Sequence, residues 1–284
     1  TFPSQYDESL GYIHKTDKEG RPLVINVYGG LDNDAVFGNL DQFLRWRVQL
    51  MEKGIALLDF NNNIEDMVQI HDYRGVKGSS MDDKSKAASK ATIRIMSDNY
   101  PEFMARKCFV NVPWYFAGVF AIFRPLLSDR TLSKFVVCSS SDMSPLLEFI
   151  EKDVLPEEYG GTNRSSPSKR VLPSDRDDDD AATEVVIDAR KRHVASLVVS
   201  DKDIVVNWEY RTIENNIGFS IEFAATAEAE REVIHEYSRV DSHLKAQTGS
   251  WTATGKGTCY FIWDNEFSIM SKKTVQFRTA ALQN

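Results

Sequence analysis

Apolar residues in the first half of the chain follow two periodicities in turn. Pro22–Tyr28 is a β-branched, apolar run that predicts a strand, and Asp41–Gly54 then carries Phe43, Leu44, Val48, Leu50 and Met51 at mostly helical spacing before a glycine. Met67–Tyr73 predicts a short strand, Met81–Asp98 a helix, and Cys108–Val112 a buried strand closed by Pro113. Trp114–Leu127 predicts an apolar helix, Lys134–Cys138 another buried strand, and Ser144–Lys152 a further helix before Pro156 and Gly160-Gly161. Alternation of this kind predicts an α/β domain.

From Arg164 to Asp180 the pattern stops. Ser, Pro and Arg give way to the run Asp177–Asp180, whose like charges repel and cannot bury a core, so this stretch predicts a linker. Beyond it, Ala195–Val199, Ile204–Tyr210, Gly218–Phe223, Thr258–Trp263 and Thr274–Arg278 are short β-favouring segments separated by polar turns, which predicts a small antiparallel sandwich. The expected organisation is an α/β domain over 1–163, an acidic linker over 164–184 and an all-β domain over 185–284. There is no internal repeat.

Composition narrows the function classes. A formal charge of −8 gives no whole-protein field for nucleic acid, so no nucleic-acid partner is expected, and a membrane contact would need a local basic patch. The three cysteines, Cys108, Cys138 and Cys259, have no CxxC spacing and point to a reducing, cytoplasmic setting. No apolar run is long enough for a spanning helix, and Asn163-Arg164-Ser165 reads as an idle sequon. The opening Thr1-Phe2-Pro3-Ser4-Gln5-Tyr6 reads as the interior of a longer chain.

Ordered motifs carry a family resemblance. Phe43-Leu44-Arg45-Trp46-Arg47, Leu58-Asp59-Phe60, Asn99-Tyr100-Pro101-Glu102-Phe103, Phe109-Val110-Asn111-Val112-Pro113-Trp114, Arg130-Thr131-Leu132-Ser133-Lys134-Phe135 and Leu155-Pro156-Glu157-Glu158-Tyr159-Gly160-Gly161 together resemble the CRAL-TRIO (Sec-fourteen-like) family of lipid-binding proteins. The later segments Ile204–Glu209, Asn216-Ile217-Gly218-Phe219-Ser220 and Tyr260-Phe261-Ile262-Trp263-Asp264-Asn265 resemble, more loosely, a GOLD jelly-roll-like sandwich, and the domain order is patellin-like. The resemblance implies a mostly parallel sheet with covering helices, a hydrophobic ligand cavity and a gate helix near Trp114–Leu127. Phe116, Val119, Phe120, Phe123 and Leu127 make that helix apolar nearly all round, as contact with core on one side and an acyl chain on the other requires.

The same resemblance assigns roles to polar residues. In phosphatidylinositol-binding members a glutamate of the Tyr-Pro-Glu motif, with a threonine and a lysine before the next strand, contacts the inositol phosphate; here these are Glu102, Thr131 and Lys134. Lysine suits a phosphodiester, a threonine hydroxyl donates to its oxygens, and a carboxylate accepts from sugar hydroxyls. Met67 and Gln69 stand where phosphatidylcholine-handling relatives carry a serine and a threonine, so that headgroup is not implied. Gln69-Ile70-His71-Asp72-Tyr73 is similar to a yeast haem-binding member in which a tyrosine is the axial ligand. Residues two apart on a strand share a face, so His71 and Tyr73 would enter the cavity together.

Three functional expectations follow. The first is non-enzymatic binding and transfer of a phosphoinositide-type lipid, peripheral to a membrane, with no cofactor required. The second is haem binding with Tyr73 on iron, the one metal site foreseen, and the third is a ligand-free protein-interaction scaffold. The GOLD portion is expected to contact a protein partner or a membrane, with Lys245, Lys272 and Lys273 more simply read as solvated charges. No nucleophile elbow, metal-ligand cluster or phosphate-binding glycine loop is visible, so no catalytic residue is assigned. His14, His193, His235 and His243 fall on turns and polar segments, where solvated or packing roles are expected.

Overall fold

The four predicted strands of the first half and one further strand pair into a five-stranded sheet in the order β1-β2-β3-β4-β5. β2 (Pro22–Val27), β3 (Met67–Asp72), β4 (Met104–Val110) and β5 (Phe135–Val137) run parallel, and β1 (Gly11–Thr16) joins the edge antiparallel to β2. The computed structural model describes residues 2–76, 82–138, 142–165 and 182–282, except the side chains of 117, 119 and 121; Met81, Val119 and most of the expected linker lie outside the described residues. Contacts divide the chain into two units, Thr1–Pro113 with Pro125–Asp177, and Asp178–Asn284 with Trp114–Arg124.

Helices start where the sequence supplies a cap. Asp32, Asn39, Asp82 and Ser128 accept from the backbone N–H groups of Ala35, Gln42, Ser85 and Thr131 and open α1 (Asn33–Phe37), α2 (Leu40–Ile55), α3 (Asp83–Asn99) and, later in the chain, a short helix at Asp129–Leu132. The expected helix at Trp114–Leu127 is shorter, with α4 at Phe116–Phe123 and a 3-10 turn at Arg124–Leu126. Pro125 has no N–H to donate back along the helix, the chain passes into the 3-10 turn, and Leu127 falls outside it. The Asp129–Leu132 helix is α5, and a last short helix, α6 (Ser144–Leu147), is also shorter than expected. β1 escapes the hydrophobic pattern because His14 and Lys15 interrupt it. His14 is nonetheless buried, its Nε2 lying 2.8 Å from the carbonyl oxygen of Val154, which corrects its placement on a polar turn.

The two faces of the sheet differ. Leu23, Ile25, Val27, Val68, Ile70, Cys108, Val110 and Cys138 pack on one face with Leu146, Phe149, Ile150, Leu155 and Tyr159. On the other face Val24 and Met67 pack under Phe43, Trp46, Leu50 and Met51 of α2, but the neighbouring positions are polar or aromatic.

One carboxylate ties the end of the domain to the sheet. Asp72, 1% exposed, accepts from Asn111 Nδ2 at 2.8 Å, from Tyr159 Oη at 2.9 Å and from the Arg74 backbone N–H at 2.9 Å. The Arg74 guanidinium lies 3.7 Å from it and donates to the Glu158 carbonyl at 3.0 Å. Gly160 ends the Glu157–Tyr159 turn at φ 87°, and a Cβ on Gly161 would stand 1.8 Å from the Leu155 carbonyl oxygen, so both glycines are required by the backbone path.

The second unit holds two four-stranded antiparallel sheets, consistent with a β-sandwich. One has the order β10-β9-β12-β7 and the other β11-β8-β13-β6. The predicted segments become β7 (Arg192–Val199), β8 (Val205–Thr212), β9 (Ile217–Ala224), β12 (Gly257–Asp264) and β13 (Lys273–Leu282). Three further edge strands were not among the predicted segments: β6 (Thr183–Ile187), β10 (Glu232–Val240) and β11 (Gln247–Thr252). His193 lies on β7 and His235 on β10, which corrects their placement on turns. Trp208, Tyr210, Phe219, Phe261, Trp263 and Phe277 form the core, with Trp251 packed against it. Lys273 is buried, its ammonium 5.7 Å from the centroid of Phe267, whereas Lys245 and Lys272 are exposed.

Asp72→Ala leaves the Tyr159 hydroxyl and the Asn111 amide without their buried acceptor and is expected to lower stability by about 3 kcal/mol. Arg45→Ala, which removes an exposed pair with Asp41, should change it by less than about 0.5 kcal/mol. Urea unfolding midpoints compare the two.

Candidate functional site

Tyr100-Pro101 stops α3, because the residue before proline avoids helical geometry, and the turn that follows holds Glu102 at φ 67°. That left-handed conformation is unfavourable for a side chain with a Cβ and fixes the carboxylate where β4 begins. Across the sheet edge, Arg130 on α5 donates from Nη2 to Glu102 Oε2 at 2.8 Å. Lys134, at the entry to β5, places Nζ 3.3 Å from the same oxygen and 2.7 Å from the Met104 carbonyl. Thr131 stands between the two cations in sequence, its Oγ1 2.9 Å from Ser128 Oγ and its N–H donating to that hydroxyl at 3.2 Å. The structure thus joins Glu102 and Lys134 directly and holds Thr131 on Ser128 instead.

Arg130 was not singled out from the sequence. Its signal lay in the spacing: four residues before Lys134 on a helical turn, it lines up on the same side. The Arg130 and Glu102 side chains are 74% and 56% exposed, so their ion pair contributes little and can be exchanged for a ligand's groups. Two cations and a hydroxyl suit a phosphate, and Glu102, once released, can accept from sugar hydroxyls.

The second constellation lies on the sheet face that α2 covers in part. Strand pairing puts Asn26 beside His71 and Phe109, and Gln69 beside Lys107 and Phe135. Tyr28 and Tyr73 continue the same face beyond β2 and β3. Tyr28 stacks on His71 at 5.7 Å between centroids and lies 5.2 Å from Tyr73; Phe109 is 5.8 Å from His71 and 6.2 Å from Tyr73. His71 and Tyr73 therefore meet in one aromatic group, as their spacing on a strand predicts. His71 Nδ1 is 2.8 Å from Tyr28 Oη and Nε2 3.4 Å from Gln69 Oε1, an arrangement satisfied when Tyr28 donates to Nδ1 and Nε2–H donates to Gln69.

Electrostatics keeps this group uncharged. Burial, with the positive charges of Lys107 and Arg47 nearby, holds the His71 imidazolium well below its usual range. Burial raises the Tyr73 and Tyr28 phenols, and for Tyr73 the neighbouring Tyr28 adds to it. Lys107 is brought down to about 8 by burial and by Arg47. Among the described residues no group of three or more His, Cys, Asp or Glu side chains could hold a metal ion.

Residues 6–161 match the CRAL/TRIO domain family model, more than half of the chain. The chain belongs to the CRAL/TRIO family. It is 29% identical to Patellin-6 of Arabidopsis thaliana over 279 residues, covering 95% of this chain and 66% of the relative. It is 44% identical to the phosphatidylinositol transfer protein SFH5 of Cryptococcus neoformans var. neoformans serotype D over 174 residues, covering 56% of this chain and 58% of that protein. The crystal structure of Sfh5 aligns at a TM-score of 0.52 with 34% identity, covering 58% of this chain and 60% of that one. The chain spans less than two thirds of the length of these relatives.

The helix expected to gate the CRAL/TRIO cavity groups with the second unit, where α4 packs against β8 and β11. Phe116, Phe120, Phe123 and Leu127 are half-buried, with Phe116 and Phe120 stacked at 6.2 Å; the side chain of Val119 lies outside the described residues. Asn207 of β8 is 1% exposed, and a Cβ on Gly118 would meet its Oδ1 at 2.0 Å, so this glycine permits the close approach. No described helix is long and apolar enough to cross a membrane.

Lys107 gives the CRAL/TRIO domain a pH signature. Its folded-state value of about 8 lies below the ordinary 10.5, so between those values the unfolded chain binds the extra proton and stability rises with pH. Below about 8 the penalty is present in full. Lys107→Met should be more stable than the parent at pH 7, and the difference should shrink toward pH 10.5, as read by chemical denaturation at each pH.

Proposed function

We propose that this chain is a non-enzymatic carrier that binds a phosphoinositide-type lipid in its CRAL/TRIO domain and transfers or presents it at a membrane surface. The observation that carries this reading is the convergence of Arg130 and Lys134 on Glu102, with Thr131 between them: a small cationic site whose internal partner is exchangeable. The family membership and a relative named as a phosphatidylinositol transfer protein support the same substrate class. Glu102, Thr131 and Lys134 read the headgroup, with Arg130 as a further cation. The second unit, read as a GOLD sandwich, contacts a protein partner or the membrane. The carrier works in the cytoplasm and associates peripherally.

Lys134→Ala and Arg130→Ala should each slow transfer of labelled phosphatidylinositol between vesicles about tenfold, the loss expected for one charge-assisted hydrogen bond. Far-UV spectra should stay unchanged. Transfer at the parental rate in both variants would sink the headgroup assignment.

The aromatic group around His71 favours one second reading, haem held with Tyr73 as axial ligand and His71 beside it. Ferric iron supplies the positive charge that would hold a buried phenolate, which burial otherwise disfavours. Expression with added haem precursor decides: a Soret band that disappears in Tyr73→Phe supports haem, and a colourless protein eliminates it.

A further inference from the structure

The two faces of the first-unit sheet treat buried charge differently. On one face Asp72 is surrounded by an amide, a phenol, a backbone N–H and a guanidinium. On the other, Arg47 is 7% exposed and reaches from α2 to donate to Asn26 Oδ1, yet no described carboxylate lies within ion-pair distance of it. Lys107 is half-buried on β4, its Nζ 5.8 Å from the Phe109 ring, and likewise has no described anionic partner. Asn26 is 1% exposed, and its Nδ2 has no hydrogen-bond partner.

These groups have a common deficit. Two like charges withdrawn from water without a counter-ion oppose folding, and a buried amide N–H left unpaired adds to that opposition. The remaining polar neighbours, His71, Tyr28 and Gln69, already pair with one another. What is missing is negative charge with lone pairs. An oxyanion accepts from guanidinium, ammonium and amide alike, so one bound on this face would offset these deficits.

We propose that Arg47, Lys107 and the Asn26 amide form an anion subsite on this face, taking a carboxylate or phosphate group of the bound amphiphile. The proposal rests on the reading of this domain as an amphiphile carrier. It differs from the Glu102–Arg130–Lys134 cluster, whose lysine already has two acceptors, Glu102 and the Met104 carbonyl. It means that the cargo is held with an acidic group turned inward, so neutral lipids of the same chain length are rejected.

The test uses pairs of fluorescent probes in which one member carries the acidic group and the other lacks it. The carboxylate arm compares cis-parinaric acid with its methyl ester; the phosphate arm compares parinaroyl phosphatidylinositol with parinaroyl diacylglycerol. In the parent protein the charged member of one pair should bind about tenfold tighter than the neutral one. Lys107→Met should abolish that preference without weakening the neutral probe, and Lys107→Arg, which keeps the charge, should restore it. Loss confined to the free acid assigns a carboxylate, and loss confined to phosphatidylinositol assigns the phosphate. Lys107→Met leaving both preferences at the parental ratio, with a folded far-UV spectrum, overturns the subsite. Lys134→Ala in the phosphate arm separates the two readings: if phosphatidylinositol binding ignores Lys134 while acid preference depends on Lys107, the headgroup assignment falls and the subsite stands.

Discussion

Strand β3 has a neighbour on either side and cover on both faces, so a slip of one residue would exchange its two sets of side chains. Val68, Ile70 and Asp72 would then face α2, and Gln69 and His71 would enter the apolar core. The register of β3 against β2 and β4 is therefore the constraint on which both faces depend, and the Asp72 network fixes it at the carboxyl end of the strand. Tyr159 adds a long-range tie, since it brings the last turn of the domain onto the middle of the sheet.

This arrangement separates stability from selectivity within one layer. The face under Leu146, Phe149 and Ile150 contributes the hydrophobic driving force, roughly 25 cal/mol for each Å² of apolar surface removed from water. The opposite face gives up part of that gain to carry polar groups. Aromatic rings gather around His71, while Arg47 of α2 and Lys107 of β4 put positive charge on the same face. The carboxyl ends of parallel strands, where Tyr28 and Tyr73 sit, are where α/β sheets ordinarily receive ligands.

Much of the α/β domain was legible because Pro22–Val27 reads as an apolar, β-branched run and Met67–Asp72 as an alternating one. Pro22–Val27 and Met67–Asp72 were found nearly to the residue. Some edge strands were not: Glu232–Val240 mixes charged and apolar positions without a clear period, and Gln247–Thr252 has one large apolar residue, so neither run looks different from a loop until a partner strand is known. The Glu102–Lys134 contact joins positions far apart in sequence and was legible only through the family motif. Arg47 stood in plain view within Phe43-Leu44-Arg45-Trp46-Arg47, but periodicity marks such a residue as the polar side of a helix. Its burial depends on how α2 sits on β2, which no local pattern encodes.

Glu102 occupies a backbone conformation in which glycine or asparagine would be more comfortable, and holding another residue there costs about 1 kcal/mol or more. The Glu102 side chain is exposed, and among the described residues its polar contacts are with the two cations. A chain selected for stability alone would relax this position and lose the charge with it. The strain at Glu102 is a local cost to durability that the exposed ion pairs with Arg130 and Lys134 do little to offset.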